Sequence, residues 1–117
     1  MLTPTPSPTP PPSPQAAIFA ALGDDTRLSL LGKLSAGRRC SISELTAGTN
    51  LTRQAVTKHL RVLEQVRIVQ ATRSGRESLF EFNPAPIQEM QTYLETVSRQ
   101  WDAALSRLKS FVETNPL

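Results

Sequence analysis

The chain has one cysteine, one histidine, one tryptophan and one tyrosine among 117 residues. A lone Cys40 excludes an internal disulfide and leaves too few thiolates for a finger or ribbon type of zinc site. His59 has no second histidine with which to share a metal. No apolar run approaches the ~20 residues of a membrane span, and the N-terminus has neither the basic nor the apolar part of a signal peptide. A cytoplasmic protein without a membrane partner, metal or cofactor is expected. No phosphate-cradling glycine loop, paired-carboxylate motif or Ser/Cys–His–acid pattern stands out, so catalysis is not expected either. The length fits one ordinary domain.

Ten prolines are present, and seven of them lie in MLTPTPSPTPPPSP. That opening can neither form helix nor bury itself, so residues 1–14 are expected to be a disordered, polyproline-II-leaning tail. Either a proline-motif docking site or a solubilising leader fits its composition, and no role is assigned. Residues 15–113 are expected to form the folded domain, with 114–117 a disordered end.

Charge of one sign is concentrated. The net charge is +3, yet the segment from Leu51 to Arg76 carries six basic residues (Arg53, Lys58, Arg61, Arg67, Arg73, Arg76) against one acid, Glu64. The rest of the chain is therefore net acidic. A one-sign segment in a small domain points to a polyanionic partner.

Helix signals punctuate the chain. Ser13 and Pro14 are placed to start a short apolar helix that Gly23 could end in a left-handed conformation. Asp24 is the predicted N-cap of a second helix, with Leu28, Leu31 and Leu34 as its buried stripe and Gly37 as its stop. In SISELTAG, Ser41 and Glu44 form an S-x-x-E capping box that opens a third, which Gly48 closes. Thr52 caps a fourth, RQAVTKHLRVLEQ. At about 100° per residue from Arg53, the side chains Gln54, Thr57, Lys58, Arg61 and Gln65 fall between roughly 40° and 140°; Ala55, Val56, His59, Leu60, Val62 and Leu63 fall between roughly 180° and 340°. One face is polar and basic, the other apolar, and His59 sits on the apolar arc with a backbone carbonyl as its expected partner.

The stretch IVQATRSGRESLFEF reads as two strands over 68–82 joined at Ser74-Gly75, with Arg73 and Arg76 at the tip. Tip arginines serve either a polyanionic partner or solubility. From Ile87 a long helix is predicted, in which Ile87, Met90, Leu94, Val97, Trp101, Leu105, Leu108 and Val112 advance by three or four as one apolar stripe. With Ile18, Phe19 and Leu22 of the first helix, this stripe exceeds what so small a domain can cover alone and predicts a homodimer.

Through FAALGDDTRLSLLGKL, SISELTAGTNLTRQAVTKHLRVLEQ and the RSGRE hairpin, the chain resembles the winged helix-turn-helix repressors of the arsenical-resistance (ArsR/SmtB) family, over roughly residues 16 to 112. The fold class implied is mostly α with a small β-hairpin wing, homodimeric through the first and last helices. The function implied is a dimeric, sequence-specific repressor of double-stranded DNA, its helix 52–66 in the major groove of a palindromic operator and its hairpin 68–82 as the wing. Thr52, Arg53, Gln54, Thr57, Lys58, Arg61, Arg73 and Arg76 would contact DNA. Ile18, Phe19, Leu22, Met90, Leu94, Val97, Trp101, Leu105 and Leu108 would form the dimer interface. The residue types suit those roles, since arginine bridges guanine O6 and N7, glutamine bridges adenine N6 and N7, and a threonine methyl meets a thymine methyl.

The chain departs from the family's pattern at two places. Val66-Arg67 stands where members place Ala-Gly, and a non-glycine residue in a left-handed position is strained by roughly 1 kcal/mol, so a different helix end is possible there. The Cys, Asp and His ligands of the metal-sensing members are missing, so no metal response is expected, and the sequence does not name an inducer. Two other functions compete: a winged-helix adaptor for another protein, and a redox-responsive repressor in which Arg38 and Arg39 activate the Cys40 thiolate.

Overall fold

The computed structural model describes residues 13–115. Most of the expected tail (residues 1–12), together with residues 116–117 of the expected end, lies outside the described residues. The elements run α1 (Pro14–Leu22), α2 (Asp25–Leu34), β1 (Cys40–Ser41), α3 (Ile42–Thr46), α4 (Arg53–Gln65), β2 (Val69–Ser74), β3 (Glu77–Phe82) and α5 (Ala85–Thr114). They divide into two units, one ending at Phe82 and one beginning at Asn83.

Local chemistry explains most of the boundaries in the first unit. The Ser13, Asp24 and Thr52 side chains each accept a backbone N–H three residues on, from Ala16, Arg27 and Ala55. Each thereby satisfies one of the four N–H groups that a helix start leaves without a partner. The Ser41/Glu44 capping box is complete in both directions. Gly37 takes the left-handed conformation expected of a stop, at φ 84°. Gly23 does not, at φ −79°. The α1 carbonyls that a left-handed glycine would help to satisfy are instead taken by the Arg27 guanidinium, which donates to Ala20 and Ala21.

The core of this unit is formed by Leu30, Leu34, Leu45, Val56, Leu60, Leu63, Ile68 and Val69, each almost fully buried. Burial of such side chains is worth about 1.5–3 kcal/mol apiece, so these eight positions dominate the stability of the helix-turn-helix. The α2 stripe is turned relative to the expected one. Leu30, Leu31 and Leu34 are inside, while Leu28 is 50% exposed. A 3-and-3 spacing drifts around a 3.6-residue helix, and the adjacent Leu30-Leu31 pair marks the buried side better.

The sheet is antiparallel in the order β1-β3-β2. Strand β1 was not foreseen; its two residues pair Cys40 with Phe80 and Ser41 with Leu79. A strand of two residues carries no alternation that a sequence could display. In the hairpin, Ser74 pairs with Glu77, so the connecting residues are Gly75 and Arg76 rather than Ser74 and Gly75. Gly75 supplies the positive φ, 62°, that the first position of a type II′ connection requires.

The helix α4 ends through a left-handed residue that is not glycine. Ile68 N–H donates to Leu63 O at 3.1 Å and Arg67 N–H to Glu64 O at 3.0 Å, with Arg67 left-handed at φ 65°. These are the two bonds of a Schellman motif, accompanied by the usual apolar pair, here Leu63 and Ile68. The possibility of a different end is thus set aside; the strain is accepted.

The second unit is the helix α5, 30 residues long and running through Thr114, one residue beyond the expected domain end. It begins after Pro84, where β3 has already stopped at Phe82. No helix among the described residues is long and apolar enough to cross a membrane.

Candidate nucleic-acid interface

The short α3, a turn and α4 form the helix-turn-helix, and the capped start of α4 brings Arg53, Gln54, Thr57 and Lys58 to one open cleft. That cleft, about 510 Å³, is lined by these four residues and Ile42 of α3. A second cleft, about 190 Å³, is lined by Ser41, Ile42, Ser43, Arg53, Arg76, Glu77 and Ser78. Ile42 and Arg53 border both. Arg53 and the wing residue Arg76 therefore face a common space, although they are far apart in sequence. Ile42, Ser43 and Ser78 were not anticipated as lining residues.

Individual side chains differ in what they have free. Thr52 uses one oxygen lone pair as the α4 cap and keeps its O–H and a second lone pair. The Thr57 hydroxyl donates to Arg53 O at 2.8 Å, so its remaining assets toward a base are its methyl and its acceptor lone pairs. Gln54, Lys58 and Arg61 are exposed. Arg61 lies 3.5 Å from Glu64 on its own helix, which offsets part of its charge. Arg73 Nε donates to Gly75 O at 3.4 Å across the wing tip and lines neither of the two clefts.

The inner side of α4 is held by apolar packing and by one polar contact. His59 is half-buried, as its place on the apolar arc predicted, but its partner is not a carbonyl. Its Nδ1 lies 3.3 Å from Arg27 Nη1 and 3.9 Å from Asp24 Oδ1. A guanidinium only donates, so Nδ1 is the acceptor. The Arg27 backbone N–H is the main cause that holds the Asp24 carboxyl below the ordinary carboxylate range, with the Arg27 charge adding to it. Glu44 is likewise held low, first by the Ser41 backbone N–H and then by the Arg38 guanidinium at 2.7 Å.

The surroundings of Cys40 engage both neighbouring arginines. Arg38 and Arg39 are paired with Glu44 and Glu81, and Arg38 also interacts with the Cys40 sulfur. The thiol is buried and directed at Arg38 O, 3.7 Å away. The apolar residues assigned to a dimer interface also separate into groups. Ile18 and Met90 are buried in the single chain, Leu22 and Val97 are partly covered, and Phe19, Leu94, Trp101, Leu105 and Leu108 are exposed, Trp101 to 65%. Phe111 and Val112 extend this exposed stripe.

Comparison with known proteins agrees with this geometry. A family model described as a helix-turn-helix domain matches residues 22–74. The uncharacterized HTH-type transcriptional regulator YuzN of Bacillus subtilis (strain 168) is 39% identical over 80 residues, 63% of this chain and 87% of that one. An ArsR-like transcriptional regulator from Rhodococcus sp. RHA1 superposes with a TM-score of 0.75 at 32% identity, covering 84% of this chain and 92% of that chain. The chain belongs to the ArsR family of helix-turn-helix transcriptional regulators. The fold is a winged helix-turn-helix, with α4 as recognition helix and the β2–β3 hairpin as wing. It is also shared, at 19% identity and a TM-score of 0.56, with a homodimeric winged helix-turn-helix DNA-binding domain from Mycobacterium bovis, over 80% of this chain and 83% of that one. As a member of the ArsR family the protein is a DNA-binding transcriptional regulator.

Proposed function

We propose that this ArsR-family regulator is a homodimeric repressor whose α4 reads a palindromic operator in the major groove while its wing holds the neighbouring backbone. The observation that carries this reading is the pair of clefts joined at Ile42 and Arg53. Gln54, Thr57 and Lys58 in the larger one are the chemistry of base edges, and Arg53 with Arg76 in the smaller one is the chemistry of phosphate. Thr52, Arg61 and Arg73 serve as outlying backbone contacts.

Dimerisation is supported by the exposed stripe of α5. Leu94, Trp101, Leu105 and Leu108 recur at helical spacing and are about half or more exposed in the single chain. A continuous exposed apolar stripe of this kind marks a protein–protein contact surface. A two-fold dimer would present two recognition helices to half-sites about one turn of DNA apart, which is the reason a palindrome is expected. The reading has the protein act in the cytoplasm on double-stranded DNA, without metal, cofactor or catalytic step.

In vitro selection from random 30-bp duplexes with the full chain tests the proposal. Enrichment of an inverted repeat supports it. Enrichment of a single asymmetric site, or of nothing, overturns the dimeric reading or the DNA-reading one, respectively.

A further inference from the structure

The outer face of α4 can read bases only if the helix is held at a fixed rotation about its own axis. At a side-chain radius of ~6 Å, a turn of about 10° moves a tip by about 1 Å, enough to spoil a bidentate hydrogen bond. The Val56, Leu60 and Leu63 packing beneath α4 is strong but non-directional, so it resists removal of the helix more than its rotation. Among the described residues, the His59–Arg27 contact is the one side-chain hydrogen bond from α4 to another helix.

The guanidinium of Arg27 is itself fixed from several sides. Its Nε donates to Ala21 O at 2.6 Å and its Nη2 to Ala20 O at 3.2 Å, both in the last turn of α1. Its Nη1 reaches His59 at 3.3 Å, with Asp24 Oδ2 at 4.0 Å. All three nitrogens of a planar, rigid fork are thus assigned to different acceptors, and only 17% of the side chain is exposed. Lysine could not reproduce this, having one nitrogen on a flexible stem.

We propose that Arg27 and His59 are positioning residues for DNA reading, setting the rotation of the recognition helix against the end of α1. Neither touches DNA. The proposal rests on α4 being the reading element, and it adds that the helix bearing Ile18, Phe19 and Leu22 is mechanically tied to that element by one side chain.

The test uses the duplex selected by the wild-type chain and a scrambled duplex of equal length, with each variant first shown by circular dichroism to be folded at the assay temperature. His59→Leu keeps an apolar side chain but removes the acceptor. His59→Asn keeps an acceptor close to the position of Nδ1. The expected result is a loss of about tenfold on the selected duplex for His59→Leu, no change on the scrambled one, an unaltered salt slope, and recovery to within about twofold in His59→Asn. Arg27→Gln should lose as much, and the double variant Arg27→Gln/His59→Leu no more than Arg27→Gln alone, because the two residues act through one bond. Full selectivity in folded His59→Leu, additive losses in the double variant, or a salt slope lowered by about one would each overturn the proposal. Where Arg27→Gln fails to fold, the two His59 variants decide alone. Failure of the wild-type chain to select any duplex removes the DNA-reading function itself, and that outcome is distinct from a wild type that selects while His59→Leu selects equally well.

Discussion

Arg67 holds a left-handed backbone, φ 65°, so that the next residue, Ile68, can donate its N–H back to Leu63 and turn the chain from the recognition helix into the wing. The bond is that of an ordinary Schellman end; the residue is not the ordinary one. Arg67→Gly should stabilise the fold by about 1 kcal/mol, because glycine takes this conformation without Cβ strain. Urea unfolding of the two chains checks it, and a destabilised glycine variant would mean that the arginine side chain contributes more than its backbone costs.

Gln54 and Arg76 should fail differently. Gln54→Ala should cost about 1–3 kcal/mol on the selected duplex and little on random DNA, as the base-reading role proposed for it requires. Arg76→Ala should weaken both duplexes alike and lower the salt slope by about one, as the phosphate contact proposed for it requires. Titrations at two salt concentrations separate the two.

Stability should fall in acid through two particular carboxylates. Asp24 and Glu44 are both held below the ordinary range by hydrogen bonds made to the charged form. A depressed folded value means that their stabilising effect is fully present above the unfolded value, about 4, and is lost as pH falls through the lower folded value. The double variant Asp24→Asn/Glu44→Gln should therefore be less stable than wild type at pH 7 and converge on it by about pH 2. Denaturant unfolding across that range gives the curve; a gap that persists at the acid end would place the effect elsewhere.

Dimerisation should depend on the exposed α5 stripe. Leu105 is 58% exposed in the single chain, and in a two-fold interface each substitution counts twice. Leu105→Glu should weaken association by about 3 kcal/mol or more, given the transfer energy of a leucine side chain. Sedimentation equilibrium measures the shift; unchanged association would exclude Leu105 from the interface.

Features set by local chemistry were legible in the sequence. The caps at Ser13, Asp24, Ser41 and Thr52, the amphipathic division of α4 and the inward side of His59 all follow from neighbours within one or two turns. What escaped was set by side chains that come from outside the element or loop concerned. Gly23 reads as a left-handed stop until Arg27 is seen on the α1 carbonyls, and His59 has a partner 32 positions away rather than a nearby carbonyl. Arg38 and Arg39 have carboxylate partners, Glu44 and Glu81, that the sequence around Cys40 does not announce. The candidate site shows the same division. The α4 contribution could be read from its periodicity, but the shared edge of Ile42 and Arg53 with Arg76 required the sheet register.

Ser41 has two roles that were described separately: its side chain caps α3, and its backbone lies opposite Leu79 at the edge of the wing. The hairpin can zip from its own tight turn, but this junction closes only when distant parts of the chain meet, so it should be among the later contacts to form in folding. Once formed, it makes the wing and the start of the helix-turn-helix a single opening unit. Amides of Cys40 and Ser41 and those of β3 should exchange with solvent together, so a fluctuation that releases the wing from DNA also loosens the helix that supports the reader.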